Sequence, residues 1–216
     1  MVTLADEDTV FFVHEGNHVA RIPWQGGPVE DLAFEGPGLV VDPHVVGLPD
    51  GSWRLYYIFQ DKPMDPGQAP QNEVRSARSQ DGHAWTREPG VRVTSPAVDP
   101  DVVALPDGTW RMYLTRNAAD VLSFRSPDGL TFTQEPGQRL SGGGVTSTLW
   151  VQDQWWQFFH RRYRIFVARS ADGLQFLAHP NPLLEPAPEG VESPSVVHTP
   201  DAGWRMVYAV VPQSRP

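Results

Sequence analysis

One phrase recurs along this chain and constrains its fold more than any other feature. An Asp-Gly turn leads into Trp-Arg, and a Ser-x-Asp-Gly turn follows further on. The first half reads Asp50-Gly51-Ser52-Trp53-Arg54, then Asp107-Gly108-Thr109-Trp110-Arg111, then Asp201-Ala202-Gly203-Trp204-Arg205. A degenerate copy, Asp153-Gln154-Trp155-Trp156, lies between the last two. The second half reads Ser79-Gln80-Asp81-Gly82, Ser126-Pro127-Asp128-Gly129 and Ser170-Ala171-Asp172-Gly173. Trp53, Trp110, Trp155 and Trp204 stand roughly 45 to 57 residues apart, a spacing that marks a repeat architecture.

Each unit parses into four short strands. The first is a buried run, as in Val40–Val46, Val98–Val103, Val145–Val151 and Ser193–Val197. Strand two alternates, with Trp53, Leu55 and Tyr57 on one face and Arg54, Tyr56 and Ile58 on the other. Strand three covers Val74–Arg78, Val121–Arg125 and Ile165–Arg169, and strand four opens at Trp85, Phe132 and Phe176. No stretch combines helical periodicity with caps, so the class is all-β. Four-stranded units of this length predict a β-propeller of antiparallel blades. The approximate units are 8–37, 38–93, 94–140, 141–187 and 188–216, read as a single domain. Residues 9–34 supply strands two to four of a unit, and the C-terminal unit supplies strands one and two. Five blades are favoured; a four-bladed closed ring results if the two terminal units merge. Asp61–Asn72 reads as an insertion between strands two and three.

The net charge of −9 argues against nucleic acid, which needs a basic stripe, and fits a neutral or cationic ligand. With no cysteine there are no disulfides or thiolate metal sites. No His spacing supports zinc, and no P-loop or dinucleotide fingerprint is present, so neither metal nor cofactor is expected. The first residues lack the apolar run of a leader or membrane span, which predicts a cytoplasmic protein without a membrane partner. Oligomeric state is not legible.

The D-P-x-V-V inner strands, the D-G-x-W-R-M-Y second strands and the S-x-D-G-L-x-F turns together resemble the five-bladed β-propeller glycoside hydrolases. That superfamily includes arabinanases, β-xylosidases and invertases. The resemblance runs from about Phe11 to Tyr208 and implies a carbohydrate or other small polar ligand at an axial pocket. It further implies a base or nucleophile at Asp42, an orienting carboxylate at Asp99 and a general acid at Glu192. The family commonly draws the acid from the third blade, whereas here Ser141–Ser147 has no carboxylate and Glu192 arrives one unit later.

Alternating strand direction puts all the Asp-Gly turns on one rim, where Asx-type bonding explains Asp50, Asp81, Asp107, Asp128 and Asp172. The opposite rim collects the residues that fail to repeat. Asp42, His44, Asp99, Asp101 and Glu192 start inner strands, and Asp61, Arg116, Asn117, His160, Arg161, Arg162 and Tyr163 face them from loops. Carboxylates in otherwise apolar strands are costly without a partner, so their convergence points to function. His44, Asp101, Arg116, His160 and Arg161 are the expected substrate contacts. Against this, Asp-Pro is also a common turn opener, Asp99 can serve backbone amides, and an inner-strand histidine is often a satisfied core residue. A non-catalytic carbohydrate-binding or protein-interaction propeller is the alternative.

Overall fold

In the computed structural model the described residues are 2–4, 9–14, 18–32, 38–60, 72–186, 188–199 and 203–212. Asp61 and the rest of 61–71 lie outside them, as does Asp201. The described residues form five antiparallel sheets. The first is β1 (Val2–Leu4), β2 (Thr9–His14), β3 (His18–Pro23) and β4 (Glu30–Asp31). The second is β5 (Leu39–Gly47), β6 (Trp53–Gln60), β7 (Asn72–Ser79) and β8 (Thr86–Arg87), with β9 (Val93–Ser95) also on β7. The third is β10 (Val98–Ala104), β11 (Trp110–Arg116), β12 (Asp120–Ser126) and β13 (Thr133–Gln134), with β14 (Leu140–Ser141) on β12. The fourth is β15 (Gly144–Val151), β16 (Gln154–Arg161), β17 (Arg164–Ser170) and β18 (Leu177–Ala178). The fifth holds only β19 (Gly190–Thr199) and β20 (Gly203–Val211).

The inner strands neighbour one another in chain order, and β1 lies beside both β5 and β19. The chain is an all-β propeller. β1 was not anticipated from sequence; it pairs with β2 rather than with β19 or β20, so the terminal units do not share a sheet. No helix is long and apolar enough to cross a membrane.

In units two and three, period-two alternation in strand two buries both faces, because these sheets are sandwiched between neighbours. Leu55, Tyr57 and Phe59 pack with Phe11 and Val19 of unit one. Tyr56 and Ile58, on the other face, pack with Trp110, Met112 and Leu114 of unit three. Tyr113 faces onward to Phe159 and Phe166 of unit four.

The repeated phrase is the lock between these sheets. In each S-x-D-G turn the Asp carboxylate accepts from two backbone N–H groups, as Asp128 does from Leu130 and Thr131 at 2.8 Å. The serine hydroxyl accepts from the glycine N–H, as in Gly129 to Ser126 at 2.9 Å. These bonds hold Asp81 down to about pKa 2, chiefly through the N–H groups of Ala84 and His83. The turn then offers its carbonyls to the preceding unit. Arg54 and Tyr56 donate to Asp128 O and Gly129 O, and Arg111 and Tyr113 donate to Asp172 O and Gly173 O. A β-carbon on Gly129 or Gly173 would fall within 3 Å of the arginine nitrogen, so the sequence needs glycine there for close approach as well as for positive φ.

Trp156 and Phe158 stand in unit four where units two and three have Arg and Tyr. Both rings instead pack on Trp204, at 5.4 and 5.7 Å between centroids. In unit five the Arg205 guanidinium lies 5.8 Å over Trp24, in the β3–β4 turn of unit one. The contact from unit five to unit one thus places an arginine as between units two and three and between units three and four.

Candidate functional site

Every two-stranded inner pairing described in units two to five carries a register break. It falls between Val41 and His44, Val98 and Asp101, Gly144 and Ser147, and Glu192 and Ser195. At each break one residue takes positive φ: Asp42 (53°), Asp99 (56°), Val145 (49°) and Ser193 (52°). None is glycine, and such a conformation costs a side-chain-bearing residue about 1–3 kcal/mol. A bulge re-aims its residue out of the strand's alternation. Asp42 and Asp99 are therefore equivalent residues, turned the same way in adjacent inner strands. Glu192 immediately precedes its bulge residue.

Asp42, Asp99 and Glu192 share one electrostatic environment. Asp99 is pushed up to about pKa 8, first by burial and then by the negative charges of Asp42 and Glu192. Burial also raises Asp42. The linkage has a definite sign. The folded chain keeps on Asp99 a proton that an unfolded Asp loses near pH 4, so the corresponding stability is lost as pH climbs from about 4 through about 8.

Glu192 is fixed from both sides by the β16–β17 hairpin. The N–H of Val191 donates to Tyr163 O at 3.0 Å, and that of Ser193 to His160 Nδ1 at 3.2 Å. Burial lowers the His160 pKa, against the opposing pull of the Glu192 charge. A neutral ring that accepts at Nδ1 carries its proton on Nε2.

His44 and Asp101 stand apart from this cluster. Two residues beyond the bulges of units two to four, a side chain ties its strand to the next inner strand. His44 Nε2 donates to Val102 O at 3.0 Å, Asp101 accepts from Thr148 N and Oγ1 at 3.2 and 2.6 Å, and Ser147 Oγ accepts from Val196 N at 2.9 Å. Asp101 has no exposed surface. Burial lowers the His44 pKa, with the Asp101 charge opposing. These bonds engage His44 and Asp101 in fastening adjacent inner strands. Sequence could not separate Asp99 from Asp101, because the bulge between them is invisible to a two-residue period.

Arg116 pairs with Asp120 at 3.1 Å across the β11–β12 hairpin. Arg161 donates to Ser141 O and Gly142 O, beneath the β16–β17 turn. Among the described residues no group of three or more His, Asp or Glu side chains is arranged to hold a metal ion.

Comparison with known proteins bears on the fold. No protein-family model matches the sequence, and no curated protein matches it. Solved structures do. A thermostable family-43 glycoside hydrolase aligns with a TM-score of 0.74 at 14% identity, covering 97% of this chain and 82% of that one. An endo-arabinase from Bacteroides thetaiotaomicron gives 0.74 at 12% identity, covering 100% and 94%. A xylan β-1,4-xylosidase from Bacillus halodurans gives 0.71 at 12% identity, covering 97% of this chain but 48% of that chain. The chain has the β-propeller fold of family-43 glycoside hydrolases. At these identities the likeness concerns fold, and the site must be argued from its own residues.

Proposed function

We propose that this protein binds a carbohydrate at the axial carboxylate cluster and hydrolyses a glycosidic bond there. The observation that carries the reading is the convergence of three carboxylates at the register breaks of three inner strands, where burial and the charges of Asp42 and Glu192 push Asp99 up to about pKa 8. Glycoside hydrolysis needs one carboxyl protonated and another ionised on either side of the scissile bond. In this reading Asp42 is the base or nucleophile, and Glu192 is the acid, passing to the leaving oxygen the proton that the cluster keeps on Asp99 while no substrate is bound. A protonated Asp99 adds no third negative charge to theirs.

A test uses a panel of aryl glycosides across pH 4–10. The expected result is hydrolysis with a kcat/KM that falls on the alkaline side near pH 8, as Asp99 ionises and adds a third negative charge. A flat profile through pH 10 would exclude Asp99 from the reaction. Absence of hydrolysis across the panel would favour a carbohydrate-binding propeller without catalysis. One observation leans that way: Val145 occupies in unit four the bulge position that is Asp42 and Asp99 in units two and three.

A further inference from the structure

The β16–β17 hairpin carries the sequence's densest basic run, His160-Arg161-Arg162-Tyr163-Arg164, in a chain of net charge −9. These residues are not spread over the surface. His160, Arg161, Arg162 and Arg164 line one open cavity of about 680 Å³ with Gly142 and Phe166. That volume suits a small-molecule site. No carboxylate is among its described lining residues. Arg164 is neutralised by Glu185 at 2.6 Å, and Arg161 is spent on backbone carbonyls, which leave its charge uncompensated. Arg162 has no hydrogen bond or ion pair among the described residues.

The turn that presents Arg162 is held in an unfavourable conformation. Arg162 (φ 50°) and Tyr163 (φ 60°) form a two-residue hairpin turn that Asn-Gly would adopt at lower cost. The turn is also joined to the carboxylate cluster, because Tyr163 O and His160 Nδ1 accept from the residues on either side of Glu192. A ligand in this cavity meets the Arg161 and Arg162 side chains, and His160, which also lines it, connects it to the backbone beside Glu192. Guanidinium groups bind carboxylates in charge-assisted, often bidentate, pairs.

We propose that this cavity is a subsite for a carboxylate-bearing sugar, a uronic acid unit or substituent next to the bond held at Asp42, Asp99 and Glu192. The location relative to a scissile bond rests on the function proposed above; the recognition of the charged sugar does not. The probes are methyl β-D-glucuronide and methyl β-D-glucoside, which differ only in the carboxylate, with inorganic sulfate as a competitor. Affinities are measured by calorimetry for wild type, Arg162→Ala, Arg162→Glu and Asp42→Asn, each checked for an unchanged melting temperature.

Wild type should bind the glucuronide at least about tenfold more tightly than the glucoside, and added salt should narrow the difference. Arg162→Ala should reduce the preference and Arg162→Glu abolish it. Asp42→Asn should retain it, so the subsite stands even if no glycoside is hydrolysed. Equal affinity for the two sugars in wild type overturns the proposal, as does a preference that survives Arg162→Glu. Sulfate that displaces the glucuronide at equal concentration would also overturn it, by showing an anion site indifferent to the sugar.

Discussion

Asp42→Asn and Glu192→Gln are each expected to lower kcat/KM on a hydrolysed aryl glycoside by about 10²–10⁴-fold, the range for loss of a positioned acid or base. The two variants should differ in pH behaviour. Removing either negative charge lets Asp99 ionise more readily, so the alkaline limb near pH 8 should move to lower pH in both. The displacement should be greater in Asp42→Asn, since Asp42 acts more strongly than Glu192 on Asp99. With an activated leaving group that needs no protonation, Glu192→Gln should recover much of its rate, whereas Asp42→Asn should not. Wild-type rates in both variants would remove these residues from the chemistry. Because each change replaces a charge in a partly buried cluster by an isosteric amide, neither should disturb the fold.

The largest effect on stability is expected at Arg111, whose side chain is 3% exposed. Its guanidinium grips Glu135 through two bonds, at 2.8 and 3.0 Å, and donates to Asp172 O at 3.1 Å. Ser123 adds a bond to the same carboxylate. Burial opposes the ionisation of Glu135, yet Arg111 and Ser123 hold its pKa below the ordinary value. Arg111→Met keeps the apolar stem but strands Glu135 and the turn carbonyl. Breaking a buried pair from one side costs about 3–5 kcal/mol. For a chain of this size that lowers Tm by about 6–20 °C.

The comparison is Arg125→Met, which removes a pair with Asp107 in which both side chains are more than 40% exposed. Such surface pairs contribute about 0–1 kcal/mol. Thermal unfolding of the two variants gives the result. Similar small losses would show that the Arg-to-turn contacts between sheets are not what holds the propeller together.

The scaffold was readable because repetition supplies its own internal check. Trp53, Trp110 and Trp155 fall at matching places in β6, β11 and β16, and each S-x-D-G follows its third strand. The turn aspartates also behave as their spacing implies, accepting backbone N–H groups rather than facing a ligand. β1 escaped notice because three residues give too short a pattern to show a period.

The site was legible only in part, and for a different reason. Sequence singled out the inner-strand acids as exceptions to the repeat. It could not show the bulges that turn Asp42 and Asp99 while leaving His44 and Asp101 as ties between strands. A bulge depends on pairing with the next strand, and that partner is fixed only in the assembled sheet. The packing of Trp156, which replaces the arginine of the phrase, on Trp204 likewise shows only in the assembled sheets.

The most direct measurement of the account is the carboxyl titration of Asp99, followed by ¹³C NMR in wild type, Asp42→Asn and Glu192→Gln. A midpoint near pH 8 in wild type, falling in both variants, is the predicted result. A wild-type midpoint near pH 4, the ordinary value for Asp, or one that neither substitution moves, would contradict the claim that the three carboxylates form one site.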